Sequence, residues 1–203
     1  MELGGNSPFI VFDDAKMDTA VEACILAKFR NSGQTCVTAN RIFVQEGIYD
    51  EFAKALTERV KTLQVGNGVK EGVFVGPLTH ECAVEKALHH IEDAKSHGAS
   101  VALWGVFAPV VALYRFETEE EVISRVNDCE VGLGSFIVTE SMARMWRVAE
   151  NLEVGMVGVN QGLLSACESP FGGVKESGYG REGGRQGIEE YLTVKSILIN
   201  IAT

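Results

Sequence analysis

Cys36 closes the run Arg30-Asn31-Ser32-Gly33-Gln34-Thr35-Cys36, and Glu2 stands upstream in Met1-Glu2-Leu3-Gly4-Gly5-Asn6. A thiol and a carboxylate are the two groups that covalent catalysis at a carbonyl needs: a thiolate to attack, and a base to activate water against the resulting adduct. The Gly-Gln-Thr turn puts no bulky side chain ahead of the sulfur, and Arg30 supplies a nearby cation that favours the thiolate. Taken singly, a free cysteine is more often a small buried residue, and a glutamate is ordinarily an exposed acid. Residue type alone therefore leaves both readings open.

Order and spacing narrow them. Met1-Glu2-Leu3-Gly4-Gly5-Asn6, then Phe29-Arg30-Asn31-Ser32-Gly33-Gln34-Thr35-Cys36, then Pro170-Phe171-Gly172-Gly173-Val174-Lys175-Glu176-Ser177-Gly178 together resemble the aldehyde dehydrogenase superfamily. Phe29-Arg30-Asn31 and Gly155-Met156-Val157-Gly158-Val159-Asn160 followed by Gly162-Leu163-Leu164-Ser165 resemble its succinate-semialdehyde branch. The resemblance covers nearly the whole chain and the C-terminal half of the family's usual protein.

The resemblance implies a role for each matching residue. Cys36 would attack an aldehyde, Glu2 would activate water for hydrolysis of the thioester, and Arg30 with Ser165 would hold the distal carboxylate of a semialdehyde. Phe171 would line the aldehyde site. Leu3, Gly4 and Lys86 would lie near the cofactor, NAD or NADP, and no metal is implied. The family's cofactor domain, oxyanion-stabilising asparagine and second substrate arginine fall upstream of Met1, and Glu2 beside a terminus is expected to fray. A stretch carrying the family's ribose-contacting glutamate is missing where Trp104-Gly105 runs into Val106-Phe107-Ala108-Pro109. A terminal arm, Thr193 to Asn200, would pair with a neighbouring subunit, giving a homo-oligomer or pairing with full-length subunits. The compartment implied is the mitochondrial matrix or the cytoplasm.

Composition is consistent with one soluble domain: 46% hydrophobic and 23% charged side chains in 203 residues supply a sizeable core. A net charge of −10 argues against a phosphate-backbone binder, which needs a basic face. The apolar run Val106 to Tyr114 is shorter than the ~20 residues of a membrane helix, and no basic-then-apolar leader follows Met1. Cys24, Cys36, Cys82, Cys129 and Cys167 lack the close pairs of a zinc site or disulfide framework, which suits a reducing compartment. His80, His89, His90 and His97 share no ligand spacing with them, so these histidines are expected to be solvated or capping.

The elements that must position these groups alternate between short strands and amphipathic helices, the pattern of an α/β domain with a largely parallel sheet and flanking helices. Strands are predicted over Pro8 to Phe12, Arg41 to Gln45, Val101 to Leu103, Ser135 to Thr139 and Val154 to Asn160. Helices are predicted where Val21, Cys24, Ile25 and Phe29 recur at helical spacing, along the stripe Ile48, Phe52, Leu56 and Val60, and over Val84 to Ala94, with Cys82 near its start. Thr118-Glu119-Glu120-Glu121 is a capping box opening another helix. A further helix, Met142 to Leu152, is expected to bury Trp146, and a last one spans Arg185 to Tyr191. Alternation over Thr193 to Asn200 gives the arm strand, so the catalytic domain is assigned to 1–191 and the arm to 192–203.

Gly178-Tyr179-Gly180-Arg181-Glu182-Gly183 matches a dinucleotide fingerprint literally. It follows a loop instead of a buried strand, and the chain ends too soon for the partner acid, so it is set aside. A Gly-x-Ser-x-Gly elbow is absent, which weakens a serine hydrolase.

Overall fold

Strand by strand, apolar side chains point alternately to two faces, and both faces are covered. The computed structural model describes residues 1–103 and 109–201. Its elements in chain order are β1 (Ser7–Val11), α1 (Met17–Phe29), a 3-10 turn (Arg30–Gly33), β2 (Ala39–Gln45) and α2 (Tyr49–Lys61). Then come β3 (Gln64–Val65), β4 (Val73–Val75), α3 (Glu81–Ser96), β5 (Leu113–Phe116), α4 (Glu119–Asn127), β6 (Val131–Gly132) and β7 (Gly134–Val138). α5 (Met142–Asn151), β8 (Met156–Val159), β9 (Val174–Lys175) and a second 3-10 turn (Gln186–Tyr191) complete the order.

The main sheet has five strands, β5-β2-β1-β7-β8, and every pairing in it is parallel. Phe9, Val11, Ile42, Val44, Phe136 and Val138 pack with α1 and α2 on one face. Ile10, Phe43 and Ile137 pack with Val122 and Val126 of α4 and Val148 of α5 on the other. Strands buried on both sides read as near-continuous apolar runs, which is why Pro8 to Phe12 shows no polar alternation. The fold is the expected α/β sheet, with strands β1, β2, β7 and β8 within a few residues of their predicted bounds.

The helix readings hold where a stripe was visible. Val21, Cys24, Ile25 and Phe29 are buried along α1, and Phe52 and Leu56 along α2. Thr118 caps α4, its Oγ1 accepting from Glu121 N at 3.2 Å, while the Glu121 carboxylate accepts from Glu117 N at 2.8 Å, one residue earlier than the standard box. His80 caps α3, its Nδ1 accepting from Ala83 N at 3.2 Å.

Several expectations fail. Val101 to Leu103 forms no strand, and its side chains are exposed. Trp146 is 59% exposed: α5 turns Val148 inward instead, and the indole lies outside that stripe. The Arg185 to Tyr191 helix is only a 3-10 turn over Gln186–Tyr191, interrupted by the glycines that precede it. Thr193 to Asn200 is a separate case: the arm is expected to pair with a neighbouring subunit, and within the single chain it has no ladder, with Val194 and Leu198 98% and 96% exposed. The 104–108 junction lies outside the described residues.

Candidate active site

α1 ends at Arg30, whose backbone turns extended at φ −54°, ψ 133°. Asn31, Ser32 and Gly33 then take left-handed conformations in succession, at φ 52°, 56° and 75°. Such a sequence costs energy for side chains other than glycine, and it persists because the surroundings hold it. Ser32 Oγ donates to Gly76 O at 2.9 Å, and Thr79 N donates to Gln34 Oε1 at 2.9 Å. Asn31 Nδ2 donates to Gln34 O at 3.0 Å, and Thr38 Oγ1 donates to Gly33 O at 2.9 Å. A Cβ on Gly33 would lie 2.9 Å from Pro109 Cβ and 3.1 Å from Lys28 O, so only glycine fits.

The outcome is an exposed Cys36 on a turn anchored at both ends, just before Val37, which is buried with Leu133 and Met156. Phe171 packs against that same cluster, which brings it to the thiol's neighbourhood. Gly5 passes beside the turn: a Cβ there would lie 3.0 Å from Cys36 O and 2.8 Å from Leu133 Cβ. Glu2 is three residues further back, within roughly 10 Å of extended chain.

Glu2 does not fray. It bridges Gly178, Leu3 N donates to Ser177 O at 2.9 Å, and Ser177 Oγ donates to Gly4 O at 2.9 Å. Loss of water, then the charge of Glu182 and a hydrogen bond to it, push the Glu2 carboxyl above its ordinary value. Two carboxyl groups in contact resist double ionisation. Sequence reasoning passed over Glu182, although it lies inside the glycine-rich match that was set aside, and over Ser177, which sits in the third motif.

The other expected residues lie on several segments. Arg30 is half-buried at the start of the turn and has no ion-pair partner among the described residues, whereas Ser165 is exposed on the loop after β8. Leu3 is 51% exposed, Gly4 faces open space, and Lys86 lies on α3, which buries none of its residues. The glycine-rich match at 178–183 is no dinucleotide cradle, since no strand runs directly into a helix there.

The fold is a parallel α/β sheet covered by helices on both faces, with an exposed Cys36 on a strained, anchored turn and the Glu2 segment running beside it. The model of the Aldehyde dehydrogenase family matches residues 1–106 and 105–197, and the chain belongs to the aldehyde dehydrogenase family. Glutarate-semialdehyde dehydrogenase of Pseudomonas putida is 48% identical over 227 residues, covering 99% of this chain and 47% of that protein. Mitochondrial succinate-semialdehyde dehydrogenase of Oryza sativa subsp. japonica is 48% identical, covering 97% and 43%. The crystal structure of an aldehyde dehydrogenase from Brucella melitensis biovar abortus 2308 superposes with a TM-score of 0.91 at 49% identity, covering 95% of this chain and 45% of that one. The chain spans about half the length of the curated relatives it matches. The family matches meet at 105–106, and 227 aligned positions against 203 residues leave at least 24 positions of the Pseudomonas relative without a counterpart. An internal deletion at the Trp104-Gly105 junction accounts for both.

Proposed function

We propose that this chain carries the thiol half of an aldehyde dehydrogenase acting on short aldehydes with a distal carboxylate, such as succinate or glutarate semialdehyde. The observation behind the reading is the exposed Cys36, on a turn that shares a wall with the Glu2 segment. The Cys36 thiolate adds to the aldehyde carbon, a C–S bond forms, and the carbonyl electron pair moves to oxygen, which takes up a proton to give a hemithioacetal. In the thioester stage Glu2 removes a proton from water as the water oxygen attacks, and the C–S bond breaks with return of the thiolate. The raised pKa of Glu2 makes it a better base than an ordinary carboxylate. Arg30, without an ion pair of its own, offers two parallel donors to the substrate's far carboxylate, with Ser165 and Phe171 completing that end. Oxidation between the two stages requires a hydride acceptor, NAD or NADP in this reading, and no residue of this chain is assigned a step through it.

The test needs no cofactor. Iodoacetamide modifies Cys36, and peptide-level mass spectrometry follows it against exposed Cys82 and Cys167 as references within the same molecule. Succinate semialdehyde should protect Cys36 alone, about tenfold or more better than butanal, the gain from a charged hydrogen-bond pair, and Arg30→Gln should erase the preference. Equal protection by the two aldehydes sinks the carboxylate reading, and absence of protection sinks the thiol reading. NADH formation from succinate semialdehyde and NAD, compared with Cys36→Ala, separately measures whether the chain turns over alone.

A second reading rests on the exposed Val194, Ile197, Leu198, Ile199 and Ile201: a module that assembles through this segment with copies of itself or full-length subunits. Sedimentation showing only monomer at every concentration counts against it.

A further inference from the structure

We propose that Ser177 is the positioning residue for Glu2; the proposal rests on the reading of Glu2 as the base. Ser177 is fully buried, at 0% exposure. Burying a hydroxyl is costly unless both its donor and acceptor capacity are used, and here both are. Its Oγ accepts from Gly132 N at 3.0 Å and donates to Gly4 O at 2.9 Å, while its own carbonyl accepts from Leu3 N at 2.9 Å. One residue thereby fastens the 2–4 segment to Gly132, at the end of β6 and just before Leu133, whose side chain faces Gly5 beside the thiol turn. Ser177 is placed for this by its own turn: Ser177 N donates to Val174 O at 3.2 Å and Gly178 N to Lys175 O at 3.3 Å. A Cβ on Gly173 would come within 2.5 Å of Ser177 Cβ, so the pocket has no room for a larger or displaced side chain. The geometry assigns to the hydroxyl the job of fixing the height of the Glu2 segment relative to Cys36, and a misplacement of about 1 Å in such an arrangement typically costs a hundredfold in rate.

Ser177→Ala removes both bonds of the hydroxyl and leaves the backbone frame intact. Ser141 Oγ caps α5 by accepting from Arg144 N at 3.3 Å, and Ser141→Ala serves as a control for general destabilisation. Two readouts are taken on the full chain. Amide exchange by NMR should show Leu3 and Gly132 opening at least tenfold faster in Ser177→Ala than in Ser141→Ala. With p-nitrophenyl acetate as probe, the burst that reports acylation of Cys36 should persist. The steady-state rate that reports water attack should fall tenfold to a hundredfold, and its acid limb should move to lower pH as Glu2 leaves Glu182. Unchanged protection of Leu3 and Gly132 overturns the proposal whatever the kinetics show. Faster exchange with an unaltered steady-state rate and pH limb overturns it too, because the segment would then move without consequence for the base. A native chain with no burst that depends on Cys36 contradicts the underlying reading of the site instead, and the exchange data then decide whether Ser177 still holds the segment.

Discussion

Gly33 carries the thiol turn at φ 75° with Pro109 and Lys28 O against the place a Cβ would occupy. Gly33→Ala therefore adds left-handed strain of about 1–2 kcal/mol to a close contact, and the thermal midpoint should drop by several degrees; an unchanged midpoint would mean the turn relaxes freely. Lys28, on the last turn of α1, is buried at 5% exposure, its Nζ donating to Asn40 Oδ1 at 3.3 Å. Burial pulls its ammonium down to about 8. The folded chain gives up this proton earlier than the unfolded one, so stability should rise between pH 8 and the free value of 10.5. Lys28→Met should flatten that rise and stabilise the chain below pH 8, as measured by urea midpoints across the range. Glu2 has the opposite consequence. Its raised pKa means that stability falls as pH climbs past 4.5, and Glu182→Gln should lessen the fall while moving the acid limb of Cys36 deacylation downward. A limb that stays put would detach Glu182 from Glu2.

Among the elements, those with a single clear periodicity were legible. α1 and α2 have apolar positions at helical spacing because they cover one face of the sheet, and β1 and β7 are unbroken apolar runs because they are covered on both. What sequence could not show was pairing. Val101 to Leu103 and Thr193 to Asn200 have the residues of strands, and neither finds a ladder in this chain. Trp146 is large and aromatic, yet the face α5 turns to the sheet is set by Val148, and no rule of residue type decides which of two apolar side chains wins that position. At the candidate site, motif and order are what single out Cys36, Glu2 and Phe171. The fastening by Ser177, Ser32 and Gln34 could not be found that way, because each of these hydroxyl and amide groups meets a partner far away in the chain. α3 presents the reverse case: an amphipathic pattern was visible over Val84 to Ala94, and a helix forms, but none of its sixteen residues is buried. Tertiary packing supplies most helix stability, so limited proteolysis should cut within Glu81–Ser96 well before α1 or α2; first cuts in α1 would contradict this.

At the scale of the whole molecule, β1 leads outward one way to β2 and β5, and the other way to β7 and β8. Ligands in open sheets of this kind commonly sit at the carboxyl ends of strands beside such a divide. Here that end is filled by its own side chains: Arg144 Nη1 lies 2.8 Å from Asp14 Oδ1 and 3.2 Å from Asp13 Oδ1, and Thr139 Oγ1 donates to Asp14 at 2.8 Å. Gly5, Cys36 and Leu133 instead precede β1, β2 and β7, at the amino ends. Arg144→Ala should accordingly lower stability by about 1–3 kcal/mol while leaving the alkylation rate of Cys36 as it was, and a parallel loss of both would show that the two ends communicate.

The segments around the thiol meet from opposite reaches of the chain, and this gives the molecule a schedule. Parallel pairings are non-local, so loop closure precedes their reward and folding is slow. The turn that carries Cys36 is closed by Gly76 and Thr79, and Leu133 and the Ser177 clasp reach it only after most of the polypeptide has condensed. Until then the Cys36 thiol stands on an unanchored turn beside an incomplete sheet and its four fellow thiols, Cys24 among them still unburied. Refolding yield should therefore depend on reductant far more than the stability of the finished chain does, and Cys36→Ala should remove much of that dependence.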